Sequence, residues 1–272
     1  MSALRNLKGH LYQNFVMPDR LETFRKLLRE IAGKGYRFTT IEAFASAIKA
    51  GNIPDGPLCI LRVDIDSDPD GAGRMFDIAS AEGGVHATYY FRLATLDPHL
   101  ADRIRSQGSE VGYHFEELAT CAKQMGLRTP EEIEANRQPM RDAFRRNVIY
   151  FRDAMGEPLQ TVAAHGDFLN RRIGVKSQRI VDPALLDECG IAAEAHEPWL
   201  LRAIDARVSD RPAPLWWHPQ SPEQALSTSP RVLHILVHPR QWVRAPLLNA
   251  RLDLQRGMEE ASYRWRRMRR KR

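Results

Sequence analysis

The chain has 272 residues, 43% of them hydrophobic and 27% charged, which suits a soluble globular protein with a sizeable core and excludes a disordered or fibrous one. Its net charge of +6 does not describe the whole molecule, because seven basic residues lie within 264–272 (RWRRMRRKR) and the remainder is close to neutral. A nucleic-acid-binding body is therefore not expected, although the tail could touch an anionic surface. No apolar run reaches the length of a membrane span and the first twenty residues hold no signal-like stretch, so the expected location is the cytoplasm. Cys59, Cys121 and Cys189 stand far apart, without the pairing of a disulfide framework or a cysteine zinc site.

In chain order, Leu21, Phe24, Leu27, Leu28 and Ile31 recur at helical spacing before Gly33 and Gly35, and a short helix over 41–50 ends at Gly51. The run Leu58-Cys-Ile-Leu-Arg-Val-Asp-Ile predicts a buried strand. Helices over 71–82 and 98–107 then alternate with strands over 85–91 and 110–115. A long helix over about 130–154 precedes a strand at 160–164, with further strands at 191–193, 215–217 and 232–237. A closing helix covers 247–263, and the Pro-rich stretch 211–230 reads as a loop-rich insertion. Strands alternating with helices predict a parallel sheet, and the absence of a Gly-rich turn after the first strand favours a distorted parallel (β/α) barrel of about seven strands over a dinucleotide-binding sheet. One domain over 1–272 is expected.

In such a barrel the chemistry sits at the C-terminal ends of strands. The polar residues ending apolar runs here are Asp64 and Asp66, His114, His165 and His238. Asp64 and Asp66 are two apart on a strand and so share one face with Arg62. Two such close carboxylates repel unless a cation relieves them: one ligates it, and the other accepts a proton from the water it activates. His234 is placed mid-strand on the face of His238 and is the expected partner behind it. Tyr89, Tyr90, Trp216, Trp217 and Trp242 could offer stacking faces for sugar rings.

These segments resemble the polysaccharide deacetylase superfamily (the NodB-homology or carbohydrate esterase family 4 type), as a divergent branch, over about 58–242. LRVDIDSDPD resembles its first motif, VHATYYF its hydrophobic strand, SEVGYHFEEL its metal-histidine motif, AAHGDFLNRR the third motif, and LHILVHPRQW the closing one. The resemblance implies Asp64 as catalytic base, His238 as general acid, and Asp66 and His114 as metal ligands. The second metal histidine of the family is missing, since Leu118 and Ala119 stand in its places. His165 is the preferred substitute, with Glu116 or Glu117 as fallback. The family's third-motif arginine is also absent; Arg62 could hold Asp64 instead, and Asp210 could orient His238. Arg62, Tyr90, Glu116, Asp167 and Trp242 are the expected substrate-binding residues.

The implied activity is metal-dependent removal of an acyl group, acetyl in the first instance, from an amide or ester of a sugar or glycan intermediate, such as a nucleotide- or lipid-linked N-acetyl sugar, with zinc as the expected ion. The alternatives are an amidohydrolase acting on small amides, a non-catalytic carbohydrate-binding protein with a degraded metal site, and, last, an RNA-binding protein recruited by its tail.

Overall fold

The computed structural model describes residues 8–9, 11–155, 159–213 and 215–269. Nine strands form one sheet: β1 (Arg37–Thr39), β2 (Leu58–Ile65), β3 (Thr88–Phe91), β4 (Glu110–Phe115), β5 (Thr161–Ala164), β6 (Ala193–Glu194), β7 (Ala206–Asp210), β8 (Trp217–His218) and β9 (Val232–Val237). Their order is β6-β5-β4-β3-β2-β9-β7-β8, all parallel except the antiparallel β7–β8 pair. β2 lies at the centre. One edge pairs with β9 along Leu58–Val63, while the other is shared by β1 at Leu58–Ile60 and β3 at Arg62–Ile65. The sheet curls into a half-barrel, the parallel β/α arrangement that the alternation of elements predicts.

Alternation along the strands sorts the residues into two layers. Cys59, Leu61, Val63 and Ile65 of β2 join Tyr89, Phe91, Val111, Tyr113, Leu233, Ile235 and Val237 in the large core beneath the surrounding helices. On the concave face, Leu58, Ile60 and Val232 are plugged from below by Ile41, Phe44 and Ala45 of the helix Ile41–Lys49. The same face turns polar one layer up, where Arg62, Glu110 and Thr161 are buried. The Glu110 carboxylate accepts from Thr88 Oγ1 (2.7 Å), the Glu42 amide (2.9 Å) and Thr161. Burial raises its pKa, only partly offset by these donors.

Gly112 of β4 is paired with Tyr90, and a Cβ there would come within 2.3 Å of the Tyr90 ring and 3.0 Å of the Thr161 carbonyl. Gly112→Ala is expected to cost about 1–3 kcal/mol or more as overpacking. Equilibrium denaturation checks this, with Tyr90→Leu as the change that should relieve it.

The expected helices are found with shifted ends, and Glu117–Met125, Phe168–Ile173, Pro183–Glu188, Pro198–Arg202 and Pro222–Leu226 are helices that the sequence pattern did not announce. The stretch at 130–154 is two helices, Pro130–Ala135 and Arg137–Met155, interrupted at Asn136, and the closing helix runs over Pro246–Arg269. β1 and β7 answer to no predicted strand, and the one predicted over 215–217 is the two-residue β8. Cys59 is fully buried and Cys189 half-buried, both as free thiols. Among the described residues no helix is long and apolar enough to cross a membrane. Of the basic tail, residues 270–272 lie outside the described residues.

Candidate active site

At the C-terminal rim of the sheet, β2 presents Arg62 and Asp64 on its concave face and Asp66 just beyond its end. The Arg62 guanidinium donates twice to Asp64, Nε to Oδ1 at 2.7 Å and Nη2 to Oδ2 at 2.8 Å, and both side chains are buried. Burial alone would raise the Asp64 pKa, but Arg62 and His114 outweigh it and bring it to about 2. Arg62 is itself braced from below. Its Nη1 lies 3.2 Å from His196 Nε2, and His196 Nδ1 lies 2.7 Å from Glu194 Oε1. The guanidinium can only donate and the carboxylate only accept, so His196 sits between them as the Nδ1–H tautomer.

β4 and β5 supply two imidazoles. His114 Nδ1 donates to the Ala163 carbonyl at 2.9 Å, which directs Nε2 into the site. That nitrogen faces Asp64 Oδ2 and Asp66 Oδ1, both at 3.3 Å. His165 Nε2 is 3.7 Å from the same Asp66 oxygen. Asp66 Oδ1 is buried without a hydrogen-bond donor. Ligand atoms of Asp66, His114 and His165 all lie within 4.8 Å of one another.

Asp66 Oδ1, without a hydrogen-bond donor, and the imidazoles of His114 and His165 converge in an arrangement that a cation completes. Tetrahedral zinc–ligand bonds of about 2.0–2.2 Å would separate ligand atoms by about 3.3–3.6 Å, close to the observed spacing. The residues present therefore fit a divalent metal. Burial opposes the Asp66 charge, but His165, His114 and His238 overcome it and hold the pKa well below the usual carboxylate value.

Arg92, at the end of β3, ties this cluster together. It donates to Glu116 Oε2 at 2.7 Å and to the Asp66 carbonyl at 2.7 Å, while Glu116 Oε2 lies 3.4 Å from His165 Nδ1. Burial would raise the Glu116 pKa, yet His165 and Arg92 lower it to about 2. Glu116 thus buttresses His165 from behind instead of reaching for substrate. Glu117, the other fallback ligand, points into the core, where Tyr113 and Asn147 donate to it at 2.6 and 2.8 Å.

Across the rim, His238 follows β9 beside Asp210 at the end of β7. Nδ1 lies 2.6 Å from Asp210 Oδ1, and the His238 amide donates to Oδ2 at 2.7 Å. Desolvation works against the imidazolium, but Asp210, helped by Asp66 and Asp64, pushes its pKa up to about 10. With Nδ1 so engaged, Nε2–H is the donor left for chemistry. Asp64, Asp66, Asp210 and His238 line one cleft of about 220 Å³.

Several expected contacts do not form. Trp242 is 1% exposed, with its indole N–H on Asp210 at 2.9 Å and its ring packed edge-on against Phe24 and Trp217, so it offers no face to a sugar. Tyr90 is fully buried, its hydroxyl 2.8 Å from Thr161 Oγ1 and its ring under the Arg62 guanidinium. Tyr89 lies in the core behind the sheet. Asp167 caps the helix Phe168–Ile173 and pairs with Lys123 at 2.7 Å. Arg62, spent on Asp64, is 1% exposed and out of reach of a substrate. His234 lines a separate cavity with Arg62 and His196, and burial together with Arg62 pulls its pKa down to about 3.

Sequence reasoning passed over Arg92 and His196. Arg92 ends the apolar run VHATYYF, and a charge in that position was a usable signal. His196 follows a strand of only two residues and gave none.

No known family profile and no curated protein matches this chain. Among solved structures it is similar to the Streptococcus pyogenes deacetylase PplD in complex with acetate, at 14% identity over 74% of this chain and 84% of that one, TM-score 0.45. It is also similar to the CE4 family pseudoenzyme BA3943 of Bacillus anthracis, at 14% identity over 77% of this chain and 63% of that one, TM-score 0.39. A mutant of BA3943 with restored enzymatic activity is similar at 14% identity over 75% and 65%, TM-score 0.39. The chain thus spans just under two thirds of the length of the BA3943 proteins.

Proposed function

We propose that the protein is a metal-dependent hydrolase that removes an acyl group, acetyl in the first instance, from an amide or ester of a sugar. The observation that carries this reading is the meeting of the Asp66–His114–His165 cluster with Asp64 and His238 at one strand rim. Two imidazoles and a carboxylate suit zinc among the divalent ions and leave a coordination position open. A bound cation would supply Lewis-acid activation of water and of the acyl carbonyl.

The chain's own groups divide the proton work. Asp64, held ionised and immobile by Arg62, is placed to take a proton from the attacking water. His238, kept cationic by Asp210, is placed to deliver a proton from Nε2 to the leaving nitrogen or oxygen. Two ionisable groups whose environments drive their pKa values apart, one to about 2 and the other to about 10, match this base-and-acid assignment.

Elemental analysis of the purified protein, paired with acetate release from N-acetylglucosamine derivatives, tests the proposal. Expected are close to one divalent ion per chain and hydrolysis that falls by about 10²-fold or more in Asp64→Asn, whose metal content stays intact. A protein with no bound metal and no acetate release would instead be a binding protein on this fold.

A further inference from the structure

The cleft beside the metal cluster is lined by charges of both signs. Asp64, Asp66, Asp68 and Asp210 share it with Arg211, Arg240 and Arg256. The acids are engaged within the site, Asp64 by Arg62, Asp68 by the Gly71 amide that it caps, Asp210 by His238 and Trp242, and Asp66 by the cation site. Arg240 is balanced by Asp253 outside this set of acids, yet keeps a donor unused. Arg240 is pinned through Nη2 by Asn14 Oδ1 at 3.1 Å and Asp253 Oδ1 at 2.8 Å, while its Nη1 is buried without a hydrogen-bond partner.

Arg256 comes to the same wall from the helix Pro246–Arg269, and no ion pair joins it to a described acid. Guanidinium groups gathered at one cavity repel until an anion lies among them. Their planar forks match phosphate oxygens, and two or three of them balance more than a single negative charge.

We propose that the substrate carries a phosphate or diphosphate ester, seated against Arg240 and Arg256 while its acyl group reaches Asp66 and His238. This rests on the hydrolase reading for the acyl end and on the arginine wall for the anionic end. The cleft is small, so sugar and phosphate occupy it together, and the anion fixes which acyl group faces the metal cluster.

Calorimetric titration of the full chain with N-acetylglucosamine 1-phosphate and with N-acetylglucosamine tests the wall directly. Excess EDTA keeps any divalent ion from holding the phosphate. The phosphorylated sugar should bind at least about tenfold more tightly, and Arg256→Ala should remove about tenfold of that preference, as loss of a charged hydrogen bond does. Arg256 is an exposed helix residue, so an unchanged melting temperature shows that the variant folds. Arg240→Lys, which keeps the charge and loses the fork, should remove part of the preference.

Equal affinity for the two sugars, or a preference untouched by both variants, overturns the proposal. UDP-N-acetylglucosamine and a short prenyl-diphosphate N-acetylglucosamine, titrated alongside, separate a nucleotide carrier from a lipid one. An arginine-dependent preference in a protein that releases no acetate keeps the anion site and removes the hydrolase. Equal acetate release from free and phosphorylated sugar by the metal-loaded protein does the reverse.

Discussion

Replacing His114 with alanine is expected to empty the metal site and lower hydrolysis by about 10²-fold or more, the largest effect of any single change at this rim. The imidazole is fixed at both nitrogens. Ala163 fixes Nδ1, and Nε2 is directed at the two β2 carboxylates at 3.3 Å. Alanine removes the ligand nitrogen and leaves Asp64 and Asp66 facing each other without the imidazole that lowers their pKa values, so both should rise. Bound metal per chain and the rate of acetate release should fall together. His99→Ala, on an exposed helical position, is the control that should change neither. A His114→Ala protein with undiminished metal content would rule out the cluster as the cation site.

Asp210→Asn is expected to change the pH profile before it changes anything else. In the wild-type protein His238 is held cationic to about pH 10 against an ordinary value of 6.5. A proton donor works only below its pKa, so activity should persist through neutral pH and fall as pH rises towards that value. Asparagine keeps a hydrogen-bonding oxygen but removes the charge, so the alkaline limb should move down towards 6.5. Near pH 8.5 the protonated fraction, and with it the rate, should then drop by about a hundredfold relative to wild type. A bound cation shifts both proteins alike, so the difference between the two profiles carries the test. The stability linkage has the same sign. The raised pKa stabilises the fold fully below about pH 6.5, and that contribution is lost as pH rises through about 10, so the melting temperatures of the two proteins should converge at high pH. Superimposable pH–rate profiles would show that His238 is not the acid.

The strand rim was legible because local pattern carried it. The apolar run before Asp64 fixed a buried strand, parity put Arg62, Asp64 and Asp66 on one side, and three more strands ended in histidine. What the pattern hid was adjacency. β7 reads ARVSD, too polar and too short to announce a strand, so Asp210 could be named as a partner of His238 only by resemblance. Only the pairing of β7 with β9 brings it beside His238. In the same way, nothing local to Glu194 or His196 says that β6 lies across the concave face from Arg62. The aromatic residues misled for a different reason. A tyrosine or tryptophan near a strand end suits a sugar platform and a core equally well by type. Tyr90 lies flat only because Gly112 beneath it has no side chain, and Trp242 is turned inward by Asp210.

Asn14, Arg240 and Asp253 knot a segment that precedes every strand to a helix that follows them all. During synthesis the sheet can therefore pair completely, with Asp64, Asp66, His114 and His165 already gathered, before residues 246–269 leave the ribosome. The reactive centre is assembled first, and the wall that selects what enters it arrives last.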